Sequence, residues 1–414
     1  MASNRVSAKP LHLLIVSNTE NPTSIQGADR DWVNLLNALG PERVRVTWAG
    51  VSRVELLREY LDNKLDVRFI NLCFEPFYEL FHQSMYRGRT MRAWVDIIGR
   101  SIKSLRRPVG ILRQAMGKDL PDVVITNTSV VLIGAAYAFP TRLPHIWCVK
   151  EFLDPAVADC RRYARLIKKL SDVVVVPSAA MAQVFNGHIQ VLHDGNDITA
   201  IRSNAAEASR DQVLSSLGLP AGQLVIAQIG ALSWAKGQQV TARACAQLAL
   251  DGNGPCSLLF LGFAKPDVKE ELRRILAVTP DGWQSSVRFV EFTPGDFSYL
   301  SAADIIVHPS VLPDPYPNAI REALILGKPV IGSRVGGIPE LIANGLTGIL
   351  IEPDNPNLLA EALKTLISSP EERARMGAAA RRFAETSLDI DICKHAFFDT
   401  LVSVVRSKHN LRDI

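Results

Sequence analysis

A chain of 414 residues, 47% apolar and 21% charged, is long enough for two packed cores and too apolar for intrinsic disorder. Its longest apolar stretch, Val130–Pro140, falls short of the ~20 residues a spanning helix needs, and the N-terminal apolar segment is too short for a secretory signal. The net charge is only +4, and six cysteines without paired spacing argue for reduced thiols in a cytoplasmic protein and against a zinc site.

LHLLIVS, at about 11–17, reads as the first strand. The loop behind it, SNTENPTSIQGADRDW, carries Gly27 ahead of a helix that begins Ala28-Asp29. Asp29 and Asp31 form a D-x-D in the first helical turn, as do Asp389 and Asp391 later. The helix dipole accounts for acids there, so no metal is read from them. A G-x-G-x-x-G fingerprint is absent, which counts against a dinucleotide oxidoreductase. Strands follow at about 43–48 and 66–71.

From Met85 to Lys118 nine basic residues stand against the single acid Asp96. Trp94, Ile97, Ile98, Ile102 and Leu105 interleave at helical spacing. Such a segment suits an anionic membrane surface or an anionic acceptor, or is simply a solvated helix face over a core. Nucleic acid is not an expected partner, because no recognition module accompanies the charge.

Further strands fall at about 122–127, 145–149, 172–177 and 189–193. The polar stretch Asn196–Arg210 reads as a linker. A second series follows: LVIAQIG, SLLFLG, VRFVEF, IIVHP, PVIGS and GILIE. Apolar runs alternating with helices are the pattern of parallel sheets covered on both faces. Two series imply an α/β protein of two doubly wound domains, residues 1–198 and 210–388. A last helix, 389–407, has Ile392, Ala396, Phe397, Leu401 and Val404 at helical spacing.

The chemistry-bearing stretch is PDPYPNAIREALILGKPVIGSRVGGIPEL, from Pro313 to Leu341. Three prolines, 313, 315 and 317, make a rigid non-helical loop, Asn318 is the expected N-cap, and a helix then runs to Gly327. Glu322 lies one turn beyond the cap, near a helix N-terminus whose free amides and dipole favour an anion. Phosphates on the amides, with hydroxyls on Asp314 and Glu322, would suit a nucleotide sugar; ordinary solvated acids are the alternative. Upstream, Lys236-Gly237 after LVIAQIG would project a cation to a strand end; alone, the pair reads as a surface turn.

This constellation resembles glycosyltransferase family 4, the retaining nucleotide-sugar transferases of the GT-B fold. Glu322-Ala323, Gly327-Lys328-Pro329-Val330 and Gly336-Gly337 fall in register with its signature, and Asp314 stands where the family usually has Glu. Gly230 to Gly237 is similar to the family's Gly-Arg-Leu-x-x-x-Lys-Gly, with Ala231 at the Arg position and Lys236 at the Lys. The resemblance implies two Rossmann-like domains facing a cleft, with the terminal helix crossing back to the first. It also implies transfer of a sugar from a nucleoside-diphosphate sugar to an acceptor hydroxyl, with no metal or other cofactor. By the same resemblance Gly27 approaches the donor, Lys236 neutralises its diphosphate, and the amides of Asn318, Ala319 and Ile320 bind it. Asp314 holds sugar hydroxyls and Glu322 the ribose, while backbone groups near Val290 and Phe292 recognise the base. Lys150 stands where many relatives have His; it or Glu151 could orient the acceptor, and both could equally be surface residues. The acceptor could be a sugar, a small molecule or a lipid-linked saccharide of polysaccharide or glycolipid assembly, reached at the inner membrane face through 85–118. A non-catalytic GT-B relative acting as a binding or scaffold protein, or a sugar-nucleotide epimerase, are the alternatives.

Overall fold

The structure is a computed structural model that describes residues 9–410 apart from 19–26, 52, 75–90, 188, 264–265, 292 and 294. Two compact units divide the chain: Met1–Gly195 with Ile390–Ile414, and Asn196–Asp389.

In the first unit the strands are β1 (Leu11–Val16), β2 (Val44–Gly50), β3 (Val67–Asn71), β4 (Val123–Asn127), β5 (His145–Cys148), β6 (Val173–Val176) and β7 (Gln190–Val191). They form one parallel sheet in the order β3-β2-β1-β4-β5-β6-β7. Side chains alternate between the faces of a strand, and β1 shows the consequence. Leu13 and Ile15 pack with Trp32, Leu36 and Trp48 on one face, whereas Leu14 and Val16 pack with Leu112, Ile133 and Tyr137 on the other. Burial on both sides is why these strands read as continuous apolar runs.

The helix Ile390–Asn410 belongs to this unit, with Phe397, Leu401 and Val404 buried beside Trp32 and Leu36. The rings of Trp32 and Phe397 meet edge to face, with centroids 5.1 Å apart. The basic segment contains the helix Met91–Met116. Its last turns bury Val109, Leu112 and Met116 against Val124 and Tyr137, and leave Arg106, Arg107 and Arg113 exposed. Among the described residues no helix is long and apolar enough to cross a membrane.

The second unit repeats the plan with β8 (Val225–Ile229), β9 (Ser257–Leu261), β10 (Val287–Val290), β11 (Ile305–His308), β12 (Val330–Ser333) and β13 (Gly348–Ile351). Their order is β10-β9-β8-β11-β12-β13, again parallel. Ala227 and Ile229 pack on Leu324 and Ile325, and Ile226 packs on Val240 and Leu248.

The stretch read as a linker is largely helical. Asp197 caps the helix Ile198–Ala205 by accepting from the Ala200 N–H at 2.8 Å, and Ile198, Ile201 and Ala205 enter the core of the second unit. Its polar composition is the solvent face of an amphipathic helix.

Candidate functional site

In a doubly wound sheet the order reverses at one point, and the loops leaving the carboxyl ends of the two central strands splay apart there. In the second unit those strands are β8 and β11. The loop after β8 carries Lys236 and the loop after β11 carries Asp314, so both fall at the switch point.

Three glycine contacts draw the loops together. Gly237 has φ +75°, and a Cβ on it would lie 1.9 Å from the Pro309 carbonyl oxygen. Beside it the N–H groups of Val311 and Leu312 donate to the Ala235 carbonyl at 2.9 and 3.3 Å. Gly336, in the loop after β12, has φ +58°, and a Cβ there would lie 2.3 Å from the Asp314 carbonyl oxygen. The neighbouring Gly337 N–H donates to that same oxygen at 2.8 Å. At Gly237 and Gly336 only a residue without a Cβ allows this approach.

The Lys236 ammonium donates to Asp314 Oδ2, and His308 Nε2, at the end of β11, lies 3.1 Å from the same oxygen. Asp314 is 6% exposed. Burial by itself would raise its pKa, but the Lys236 charge and the hydrogen bonds from His308 and Lys236 outweigh burial and hold the carboxyl far below its usual range. Beneath the loop, buried Gln228 on β8 donates to the Lys236 carbonyl at 2.7 Å and accepts from Thr241 Oγ1 at 2.6 Å.

The helix expected after the proline loop is Asn318–Ile325, but Pro317, not Asn318, is its N-cap. Pro317 has extended geometry, φ −66° and ψ 126°, and its carbonyl accepts from the Ile320 and Arg321 N–H groups at 3.2 and 3.3 Å. Asn318 is thus the first helical residue. Its side chain accepts from Arg321, which also donates to Asn196 Oδ1 at 2.7 Å and lies over the Tyr316 ring at 5.6 Å. The Asn318 and Ala319 amides lie in the first turn, where a helix supplies no acceptor. Glu322 is buried on the same helix.

At β10, the Val290 carbonyl accepts from the Gly262 N–H at 2.8 Å, which leaves one lone pair for a ligand. Phe292 lies outside the described residues, as does the loop 19–26 ahead of Gly27, the first residue of the helix Gly27–Leu39.

In the first unit Lys150 follows β5, and its amine lies 2.5 Å from Asp194 Oδ1 and 3.9 Å from Asp31 Oδ2. Burial lowers an amine's pKa, but the charges of Asp194 and then Asp31 more than reverse that, so the pKa is raised. Lys150 is a neutralised member of a three-residue cluster and not an open surface cation. The adjoining cavity, about 40 Å³, is lined by Trp32, His193 and Cys393 among others. Asp31 is tied into this cluster, and Asp29 is buried with Asn127 Nδ2 3.4 Å from its Oδ1, so neither is merely a dipole-stabilised surface acid.

Glu151 Oε2 accepts from the Ser129 N–H at 2.6 Å and from its hydroxyl at 2.5 Å. Burial raises the Glu151 pKa, and these bonds offset burial only in part. Ser129 ends a polar run, Thr126-Asn127-Thr128-Ser129, at the carboxyl end of β4, where this sheet too reverses order. Thr128 holds φ +78°, rare for a β-branched residue. A polar run closing an apolar strand was the signal that could have marked it. Among the described residues no group of three or more His, Cys, Asp or Glu side chains gathers as a metal site.

Two successive doubly wound units define the GT-B fold. Residues 209–383 match the family model described as Glycosyl transferases group 1. Among curated proteins the chain is 36% identical over 200 residues to D-inositol 3-phosphate glycosyltransferase of Corynebacterium efficiens, across 46% of each chain. The chain spans about half the length of the curated relatives it matches. Among solved structures it is similar to Anabaena HepE in complex with UDP and glucose: TM-score 0.74, 21% identity, 95% of this chain and 100% of that one. Sucrose-phosphate synthase from Thermosynechococcus elongatus superposes with TM-score 0.72 at 18% identity, over 96% and 100% of the two chains.

Proposed function

We propose that this protein is a retaining glycosyltransferase of family 4, moving a sugar from a nucleoside-diphosphate sugar to an acceptor hydroxyl. The observation that carries the reading is the Lys236–Asp314 ion pair at the switch point of the second unit, with Asp314 in the loop that leads into the helix Asn318–Ile325. Supporting it, residues 209–383 match the group 1 glycosyl transferase model and a curated relative is named a glycosyltransferase.

Breaking the bond between anomeric carbon and phosphate leaves an oxocarbenium-like sugar and a diphosphate. Fixed donors that stabilise the charge on the leaving group are usually the largest catalytic contribution. Lys236 and the amides of Asn318 and Ala319 supply them, whereas the Ile320 N–H is already committed to the Pro317 carbonyl. Asp314 faces the sugar hydroxyls, Glu322 the ribose, and backbone groups near Val290 and Phe292 the base. Lys150 and Glu151 act on the acceptor side by fixing the loops around Asp194 and Ser129. No metal takes part.

A charge-assisted hydrogen bond contributes roughly 1.5–3 kcal/mol. Lys236→Ala and Glu322→Ala are therefore expected to cut turnover at least about tenfold in folded protein. Nucleoside-diphosphate release from a panel of nucleotide sugars is the assay, and wild-type kinetics in both variants would exclude the assignment.

The exposed Arg106, Arg107 and Arg113 on the helix Met91–Met116 support an acceptor at an anionic membrane, reached from the cytoplasmic side as in glycolipid or polysaccharide assembly. Flotation with anionic liposomes should weaken when Arg100, Lys103, Arg106 and Arg107 are neutralised. Equal partitioning of the two proteins would end this part of the proposal.

A further inference from the structure

Below the Lys236–Asp314 pair sits an imidazole with one nitrogen in use and one idle. His308 is 2% exposed, and a carboxylate oxygen can only accept, so Nε2 carries the proton that it shares with Asp314 Oδ2 at 3.1 Å. The other nitrogen, Nδ1, is buried with no hydrogen-bond partner among the described residues. A neutral ring leaves a bare lone pair there, and a protonated ring places a positive charge against Asp314.

Among the described residues the charged neighbours are these. Asp314 and Lys236 touch the site from the loops, and the helix Asn318–Ile325 packed on β11 carries Arg321 and Glu322. Arg321 is occupied by Asn196 and Asn318. The flanking strands, β8 and β12, present only neutral residues. Asp314 therefore depends on Lys236 for its counter-charge, and a diphosphate at the switch point competes for that same ammonium. A buried carboxylate stripped of its cation is costly, and an imidazole already bonded to it can replace the charge by binding one proton.

On the donor-site reading above, we propose that His308 is a positioning residue that takes up a proton at Nδ1 when the donor diphosphate draws Lys236 away from Asp314. The proton comes from solvent, no covalent bond changes, and Asp314 keeps its orientation towards the sugar through Nε2. The pair thus prevents Lys236 from being bought at the expense of an unbalanced carboxylate.

Calorimetric titration of the full chain with UDP-glucose and with GDP-mannose, each in phosphate and in Tris, reads the protons exchanged on binding. The nucleotide sugar itself holds no group that titrates near neutrality. The expected result is uptake of about half a proton or more near pH 7.5 in the wild type. His308→Gln, which retains a donor towards Asp314, should bind with uptake close to zero, and His308→Leu should bind at least tenfold more weakly. Each variant is first shown by circular dichroism to be folded. Wild-type binding without proton uptake overturns the inference while leaving the donor site intact, as does undiminished uptake in His308→Gln. If neither nucleotide sugar binds the wild type, the donor-site reading falls and this inference falls with it.

Discussion

Replacing Gly237 by alanine tests the geometry that joins the two switch-point loops. The new Cβ would lie 1.9 Å from the Pro309 carbonyl oxygen, whereas real Cβ contacts stay beyond 3.0 Å, so the loops must separate by at least about 1 Å. Left-handed geometry at φ +75° adds roughly 1–2 kcal/mol for an L-residue. Separation also stretches the bonds from Val311 and Leu312 to Ala235, at roughly 1 kcal/mol each. The expected loss of unfolding free energy is about 2–4 kcal/mol, read by urea denaturation. Because Lys236 adjoins the displaced residue, a shift of about 1 Å should lower donor turnover on the order of 10²-fold. Gly222→Ala is the control: its Cβ meets nothing within 4 Å, and its stability should stay within about 1 kcal/mol of the wild type. If Gly237→Ala matches that control in both stability and turnover, the close approach does not hold the site together.

Arg321→Leu should destabilise the second unit by about 2–4 kcal/mol, since it removes the fully buried guanidinium that ties Asn196 to Asn318; an unchanged urea midpoint would refute that role. His145 is buried with its ring between Thr126 Oγ1 at 2.8 Å and the Leu170 carbonyl at 2.7 Å, and burial lowers its pKa to about 4. The unfolded chain binds the proton more readily, so this contribution, about 3 kcal/mol, is complete above about pH 6.5 and is lost as pH falls towards 4. His145→Gln should flatten the fall in melting temperature over that window, and an equally steep fall would show that another group governs it.

The strand series was legible because a strand buried on both faces has no polar side to interrupt it; LHLLIV and VVITN could hardly be anything else. Pro313, Pro315 and Pro317 likewise declared a non-helical loop, since proline restricts its own φ and its predecessor. The helix starts one residue earlier than the sequence suggests, with Pro317 as its cap. Asparagine is a good cap in general, but Pro317 already has the extended geometry and its carbonyl already receives the first bonds. Asn196–Arg210 reads as a linker for a related reason: a short amphipathic helix shows mostly its wet face in sequence, and Ile198 and Ile201 alone are too sparse a pattern.

The site divides along the same line. Residue types able to bind a diphosphate or a hydroxyl stand in the sequence at Lys236, Asp314 and Glu322, because ammonium, carboxylate and helix-start amides are local properties. Which of them neutralise one another is not local. Lys236 and Asp314 are 78 residues apart, and Lys150 and Asp194 are 44 apart. Their pairing exists only because parallel strands joined by crossovers deliver distant loops to one sheet end. Period and composition determine which segments become strands and helices; charge partners, the idle nitrogen of His308 and the contact of Gly237 with Pro309 come from strand order, which no single segment encodes.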